Sequence, residues 1–188
     1  MRQFEETKLY HIRNTRTNSK LVVGQLLHSG KEYNPFYGVY EKQDISKITM
    51  DPNFLFSVVT YYWHFAREST FEEVRRELFS SLPSRQKCLY VAAEKNLKYW
   101  IETLNYPEYQ VVEVQIKGNI FKCDASLVEG NPKAIEKVRK DAMRYWQGEI
   151  VNSNKIEYLA EGDIKVVRIL DKQEIRSLLK SGRLVTAF

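Results

Sequence analysis

The chain has 188 residues, of which 43% are hydrophobic and 28% charged, with 8 Gly, 5 Pro and 2 Cys; this balance excludes a disordered polar tract, a collagen-like repeat and a disulfide-stapled module. One domain spanning 1–188 is expected, because a chain of this length buries roughly two-thirds of the surface it exposes when unfolded and needs no metal or disulfide to hold a core. The 29 Lys+Arg against 24 Asp+Glu leave a formal charge of +5, a field that attracts polyanions such as nucleic acid or a phosphate-bearing cofactor.

No Lys/Arg block occurs, and basic residues alternate with acids at helical spacing, as in Glu72 to Arg76 and Glu136 to Lys140, the pattern of an ordinary solvated face. Cys88 and Cys123 stand far apart with no Cys or His at metal-ligand spacing, so neither a zinc site nor an extracellular disulfide framework is expected, and a reducing cytoplasm fits best. No stretch approaches the roughly 20 apolar residues that span a bilayer. The start, Met1-Arg2-Gln3-Phe4-Glu5-Glu6, is too polar for a signal peptide. A protein with no membrane attachment is expected.

In chain order, Lys8 to Ile12 alternates as a short strand and runs into a turn-prone stretch, Asn14 to Ser19. An apolar run covers Leu21 to Leu27, and Gly30 to Gly38 is an aromatic-rich loop. Two helices follow. Asn53 to Ala66 carries Phe54, Val58, Tyr61, Tyr62 and Phe65 at helical spacing, and Thr70 to Leu78 opens with a capping box, Thr70-x-x-Glu73. Pro83 ends the second helix. Cys88 to Ala92 is β-prone and leads into a helix over Glu94 to Leu104, striped by Leu97, Trp100, Ile101 and Leu104.

Tyr109 to Lys117 alternates as a strand with one wet face, and a second strand is expected after Gly118-Asn119. Asn131-Pro132 reads as a helix opening that continues through Ala134 to Gln147 and stops at Gly148. Ile156 to Leu159 and Ile164 to Leu170 read as strands flanking Gly162, and Asp171-x-x-Glu174 caps a last helix ending at Gly182. Repeats and linkers are absent. The expected class is α+β with a split, mostly antiparallel β-sheet and flanking helices.

The common phosphate-loop, dinucleotide-fold, zincin and hydrolase-elbow motifs are all missing. What remains is chemistry from scattered residues on separate strands, or none. Three segments bear on that choice: Leu9-Tyr10-His11; Ser84-Arg85-Gln86-Lys87-Cys88-Leu89-Tyr90-Val91-Ala92 with Lys98-Tyr99-Trp100; and Glu157-Tyr158-Leu159-Ala160-Glu161-Gly162-Asp163-Ile164-Lys165-Val166. In this order they resemble the His, Tyr, Glu signature of the ADP-ribosyltransferase superfamily, in its poly(ADP-ribose) polymerase and diphtheria-toxin-like branch. They are also similar to uncharacterised bacterial proteins with a Tyr-His start and a Pro-Ser-Arg element. The resemblance spans most of the chain but rests on about a dozen residues.

The resemblance implies an ADP-ribosyltransferase-like fold and an NAD substrate whose nicotinamide–ribose bond is cleaved without metal. Such a reaction passes through an oxocarbenium-like sugar, so the site must hold the ring, fix ribose hydroxyls and place negative charge near the developing cation. His11 would donate to a ribose hydroxyl, Tyr90 and Tyr99 would sandwich the nicotinamide, and Glu157 would hold the reacting 2′-hydroxyl. Arg85 with Ser84, and also Arg13, would take the diphosphate, since a guanidinium matches two phosphate oxygens at once.

Beside these stand plainer roles: a hydrogen-bonded strand His, core tyrosines, and a helix terminator at Pro83-Ser84-Arg85. Glu161 rivals Glu157, because alternation puts both on one strand face, but only Glu157 has the Tyr-Leu sequel. Trp63-His64 and Tyr145-Trp146 read as helix-face packing and receive no role. Departures from the family are Ile12 where polymerase members have Gly after the His, Cys88 where Gly often stands two before the strand Tyr, and no Glu-x-Glu of Arg-specific toxins.

The expected activity is mono-ADP-ribosyl transfer to a protein or nucleic-acid acceptor, with an antitoxin or inhibitor as a partner if the protein serves as a toxin. The aromatic Tyr33 to Tyr40 segment suits a nucleic-acid acceptor. The alternatives are a catalytically inactive nucleotide- or nucleic-acid-binding member of the same fold, and an NAD-using RNA 2′-phosphotransferase, which would want more phosphate-holding Arg.

Overall fold

Alternation from Tyr109 onward does not stop at Gly118-Asn119: in the computed structural model, which describes residues 8–42 and 49–181, one strand runs Tyr109–Asp124. The expected pair flanking Gly162 is likewise one strand, Ile156–Ile169. In chain order the elements are β1 (Leu9–Asn14), β2 (Leu26–Ser29), α1 (Pro35–Lys42), α2 (Pro52–Leu78), β3 (Leu89–Ala93), α3 (Glu94–Leu104), β4 (Tyr109–Asp124), α4 (Ile135–Trp146), β5 (Ile156–Ile169) and α5 (Lys172–Ser181). The class is α+β, as expected, and every strand pairing among the described residues is antiparallel.

β4 and β5 pair along almost their whole length, from Val112↔Ile169 to Asp124↔Ile156. β1 lies on the other edge of β4, with Leu9↔Val114 and Asn14↔Tyr109. β3 bridges back, pairing Tyr10↔Ala92 with β1 and Tyr90↔Leu159 with β5. The four strands therefore close into a ring, which removes their unpaired edges. β2 adds to β5 beyond β3, with Ser29↔Gly162.

Two facing glycines explain why the long strands are uninterrupted. Gly118 pairs with Gly162. A Cβ on Gly118 would lie 2.0 Å from the Glu161 carbonyl oxygen, and one on Gly162 would lie 2.5 Å from the Lys117 carbonyl oxygen. Gly162 also has φ of +123°. Here glycine permits a close backbone approach within a strand instead of ending it.

The helices differ from expectation at their ends. Pro52–Leu78 is a single helix: Asp51 caps it by accepting from the Phe54 N–H at 2.9 Å. The Thr70 hydroxyl donates to the Ala66 carbonyl at 2.8 Å instead of capping a new start. The second half of the aromatic loop is α1, with Asn34 Oδ1 accepting from the Tyr37 N–H at 3.0 Å. α4 begins at Ile135, three residues after Pro132. The Asp171/Glu174 capping box forms as expected, while Gly182 lies outside the described residues. Lys140 does pair with Glu136, but Glu72 takes Arg75 and not Arg76.

Three apolar clusters follow from the layering. One fills the ring, with Leu9, Val91, Val112, Val114, Ile164 and Val166. A second joins Tyr10, Ile12 and Ala92 to Leu97 and Ile101 of α3. The third sets Phe71 and Val74 of α2 and Tyr145 and Trp146 of α4 against Cys88, Cys123 and Leu159. Both cysteines are free and buried. Among the described residues no helix is long and apolar enough to cross a membrane.

Gly118→Ala is expected to lower unfolding stability by about 2–3 kcal/mol, since the new methyl meets backbone that cannot step aside. Gly38→Ala, in α1 with open space around the Cβ position, should leave stability unchanged or raise it slightly. Urea denaturation of both variants measures the contrast.

Candidate functional site

Adjacency of β1, β3 and β5 brings His11, Tyr90 and Glu157 to one cleft of about 340 Å³. Its walls include Phe36, Trp100 and Tyr106, and its charged lining is Arg13, Arg67, Arg85, Glu129 and Glu157. The His11 ring is half-buried, with Nδ1 3.0 Å from the Tyr90 carbonyl oxygen. Burial pushes its pKa from the ordinary 6.5 down to about 4, against the Tyr90 bond, which raises it. The imidazole is therefore neutral near pH 7. A carbonyl can only accept, so Nδ1 carries the proton and Nε2 is an acceptor. His11 was expected to donate to a ribose hydroxyl; in this tautomer Nε2 offers an acceptor instead.

Behind the cleft lies a buried ionic cluster. Arg85 is 5% exposed. Its Nε donates to Glu68 Oε2 at 3.0 Å, and its Nη1 donates to Glu157 Oε1 at 2.5 Å and to the Tyr145 hydroxyl at 2.5 Å. The Tyr145 hydroxyl donates in turn to Glu157 Oε1 at 2.8 Å. The guanidinium is flanked by the rings of Tyr145, Tyr90 and Phe71, with centroids at 5.1, 5.4 and 6.0 Å. Burial works to raise the Glu68 carboxyl, but the charge and hydrogen bond of Arg85, helped by Arg67, hold it below the usual carboxylate range. Burial lifts Tyr90, Tyr145 and both thiols well above their ordinary values, so Cys88, which lines the cleft, is no ready nucleophile.

The geometry corrects three sequence assignments. Arg85 does not offer its guanidinium to a diphosphate, because two carboxylates already hold it. Tyr99 does not line the cleft with Tyr90: on α3 it is Trp100 and Leu104, one turn apart, that face it. The Tyr99 hydroxyl donates to Glu129 Oε1 at 2.9 Å, and its ring packs on Trp100 at 5.1 Å. Ser84 faces away, its hydroxyl donating to Glu72 at 2.9 Å. Arg13 does line the cleft, with Nε 3.3 Å from the Ser19 carbonyl oxygen.

Glu157 and Glu161 are also separated. Four residues span about 13 Å of strand, and the Ser84-Arg85 segment bridges the two carboxylates. The Ser84 N–H donates to Glu161 at 2.7 Å while Arg85 takes Glu157. Glu161 therefore lines a second, more polar cleft of about 700 Å³, with Ser84, Arg75, Lys87 and Asn119. The aromatic segment serves both clefts: Phe36 meets Tyr90 edge-on at 6.3 Å in the first, and Tyr33 and Tyr37 line the second.

Tyr145 and Glu68 were not among the sequence candidates. A buried Tyr must find a partner for its hydroxyl, but residue type alone does not say which. Among the described residues no group of three or more His, Cys, Asp or Glu could hold a metal ion.

Arg85→Met is expected to cost about 3–5 kcal/mol, because it leaves Glu157 buried without a cation and Glu68 with only Arg67; thermal or urea unfolding reads this. His11 gives a pH signature. Its folded pKa is depressed, so the unfolded chain binds the extra proton and stability falls as pH drops from about 6.5 to about 4. The stability slope of His11→Gln should be flatter across that window, and ring NMR shifts of the native protein should report a neutral imidazole at pH 6.

The model of one protein family, described as a protein of unknown function (DUF2441), matches residues 9–172. No curated protein matches the chain. The match runs from β1, which carries His11, through β5, which carries Glu157, to the first residue of α5, and the chain therefore belongs to the DUF2441 family.

Proposed function

We propose that this protein is an NAD-dependent mono-ADP-ribosyltransferase that cleaves the nicotinamide–ribose bond and passes ADP-ribose to a protein or nucleic-acid acceptor. The observation that supports it is the convergence of His11, Tyr90 and Glu157, from three different strands, on one partly apolar cleft. The cleft volume, about 340 Å³, lies within the range of small-molecule sites.

In this reading Nε2 of His11 accepts a hydrogen bond from a ribose hydroxyl. Tyr90, with Phe36 and Trp100 in place of Tyr99, supplies the aromatic surface against which the nicotinamide rests. Arg85 and Tyr145 both hold Glu157 through Oε1, fixing the rotamer of a carboxylate that lines the cleft. That carboxylate accepts from the reacting ribose 2′-hydroxyl and stabilises positive charge on the sugar as nicotinamide leaves with the bonding electrons. Preorganised charge of this kind needs no movement at the moment of reaction. Ile12, which stands where polymerase members of the resembled superfamily have Gly, packs against α3 and also lines the cleft. Two buried free thiols fit the cytoplasm as the compartment.

A second reading has its own observation. Pairing with Arg85 offsets the charge of Glu157, which weakens it as a stabiliser of an oxocarbenium. This favours a catalytically silent member of the fold that binds nucleotide or nucleic acid.

Incubation with labelled NAD and cell extract separates the two. The transferase reading expects nicotinamide release and label in the protein, RNA or DNA fraction, with Glu157→Gln about a hundred- to a thousandfold slower while its NAD affinity stays within a few-fold. NAD binding without nicotinamide release from the native protein establishes the silent member. Absence of NAD binding removes the transferase and leaves, of the silent readings, only a binder of nucleic acid or another nucleotide.

A further inference from the structure

We propose that the cleft contains an anion subsite built on Arg67, with Arg13 as a second cation, for a ligand carrying a phosphate or diphosphate. Arg67 is 8% exposed, and its side chain lines the cleft. Its guanidinium is poorly matched by protein. Nη2 lies 3.3 Å from Glu68 Oε1, on a carboxylate that also serves Arg85, and Nε is buried with no hydrogen-bond partner among the described residues. A buried cationic donor without an acceptor is rare and costly in a folded protein, so Arg67 keeps hydrogen-bonding capacity that the protein itself does not use.

The charge balance of the cleft points the same way. Its two acidic side chains are both matched: Glu157 by Arg85, and Glu129 by Lys155 and Tyr99. Among the described residues the Arg13 guanidinium makes one hydrogen bond, to the Ser19 carbonyl, and has no carboxylate partner. It shares a face of β1 with His11, two residues away. Three arginines line the cleft; Arg85 is held by Glu68 and Glu157, Arg67 shares Glu68 with it, and Arg13 has no carboxylate, so the unmatched positive charge sits on Arg13 and Arg67, beside an uncharged His11. Guanidinium groups suit phosphate oxygens, which accept two parallel N–H bonds, and the aromatic walls suit a base or ring on the same ligand.

The second cleft also sets three cations, Arg75, Arg76 and Lys87, against two glutamates, but no buried side-chain nitrogen or oxygen of its lining is left unpartnered among the described residues. Arg75 there is matched by Glu72 and by the Ser80 and Leu82 carbonyls.

The inference deepens the transferase reading by naming what would grip the diphosphate, and it rests on that reading only for the nucleotide identity. Calorimetric titration of the full chain with ADP, adenosine and inorganic pyrophosphate, with no turnover involved, tests it. ADP should bind the native protein at least about tenfold more tightly than adenosine, with that advantage shrinking as salt rises. Pyrophosphate should compete with ADP. Arg67→Met, which keeps the aliphatic stem and drops the charge, should remove most of the advantage and leave adenosine affinity unchanged; Arg13→Gln should remove a smaller part. If Arg67→Met does not fold, the salt dependence and Arg13→Gln carry the test, and an ADP advantage insensitive to both overturns the proposal. Equal affinity for ADP and adenosine in the native protein overturns it outright, as does an advantage that survives Arg67→Met. Arg67-dependent ADP binding without nicotinamide release from NAD keeps the subsite and discards the transferase, whereas NAD turnover and ADP affinity unaffected by Arg67→Met do the reverse.

Discussion

Arg85 is the group around which the rest of the molecule is arranged. A guanidinium cannot shed its charge, so burying one obliges the fold to bring acceptors to it from wherever the chain can supply them. Here they come from Glu68 on α2 and Glu157 on β5, with the Tyr145 hydroxyl from α4 between them. Each of these elements is thereby fixed relative to the Pro83–Lys87 turn. The aromatic rings of Phe71, Tyr90 and Tyr145 close over the cluster and keep water from competing with it.

That arrangement decides what the cleft can offer. Arg85 is a structural cation, and its neighbour Glu157 is a carboxylate with a fixed rotamer. His11, neutral and locked in one tautomer by the Tyr90 carbonyl, presents an acceptor where sequence reasoning expected a donor. The cleft thus combines an acceptor, an oriented carboxylate, an aromatic wall and two weakly matched arginines. Under the proposed transferase reading this set would serve a nucleotide-like ligand, and the pairing of Glu157 with Arg85 would set the balance between binding a sugar and stabilising a positive charge on it.

The closed ring of strands is the second constraint. β4 and β5 approach so closely at Gly118 and Gly162 that neither position has room for a side chain. β5 thereby carries Glu157 at one end and Glu161 beyond the Ser84-Arg85 bridge, giving two clefts with different lining. Polar residues dominate the lining of the larger one, whereas apolar and aromatic side chains wall the smaller.

By itself the sequence determined most of the elements, because periodicity and capping are local. The alternation of β1 and β4, the stripe of α3 and the Asp171/Glu174 cap are all written in residues within a turn or two of each other. The convergence of His11, Tyr90 and Glu157 was legible only through the spacing of a resembled pattern. Tertiary structure decided what local patterns cannot encode. Gly118 and Gly162 read as strand ends until their pairing makes them points of contact. Thr70 reads as a cap until packing carries α2 through it. Tyr99 and Trp100 are equivalent as letters, and only the helix orientation chooses Trp100 for the cleft. Whether Arg85 is a ligand-binding group or a buried tie depends on carboxylates 17 and 72 positions away in the chain. The physical reason is that an ionic partner acts over ångströms of space, a distance that sequence separation does not measure.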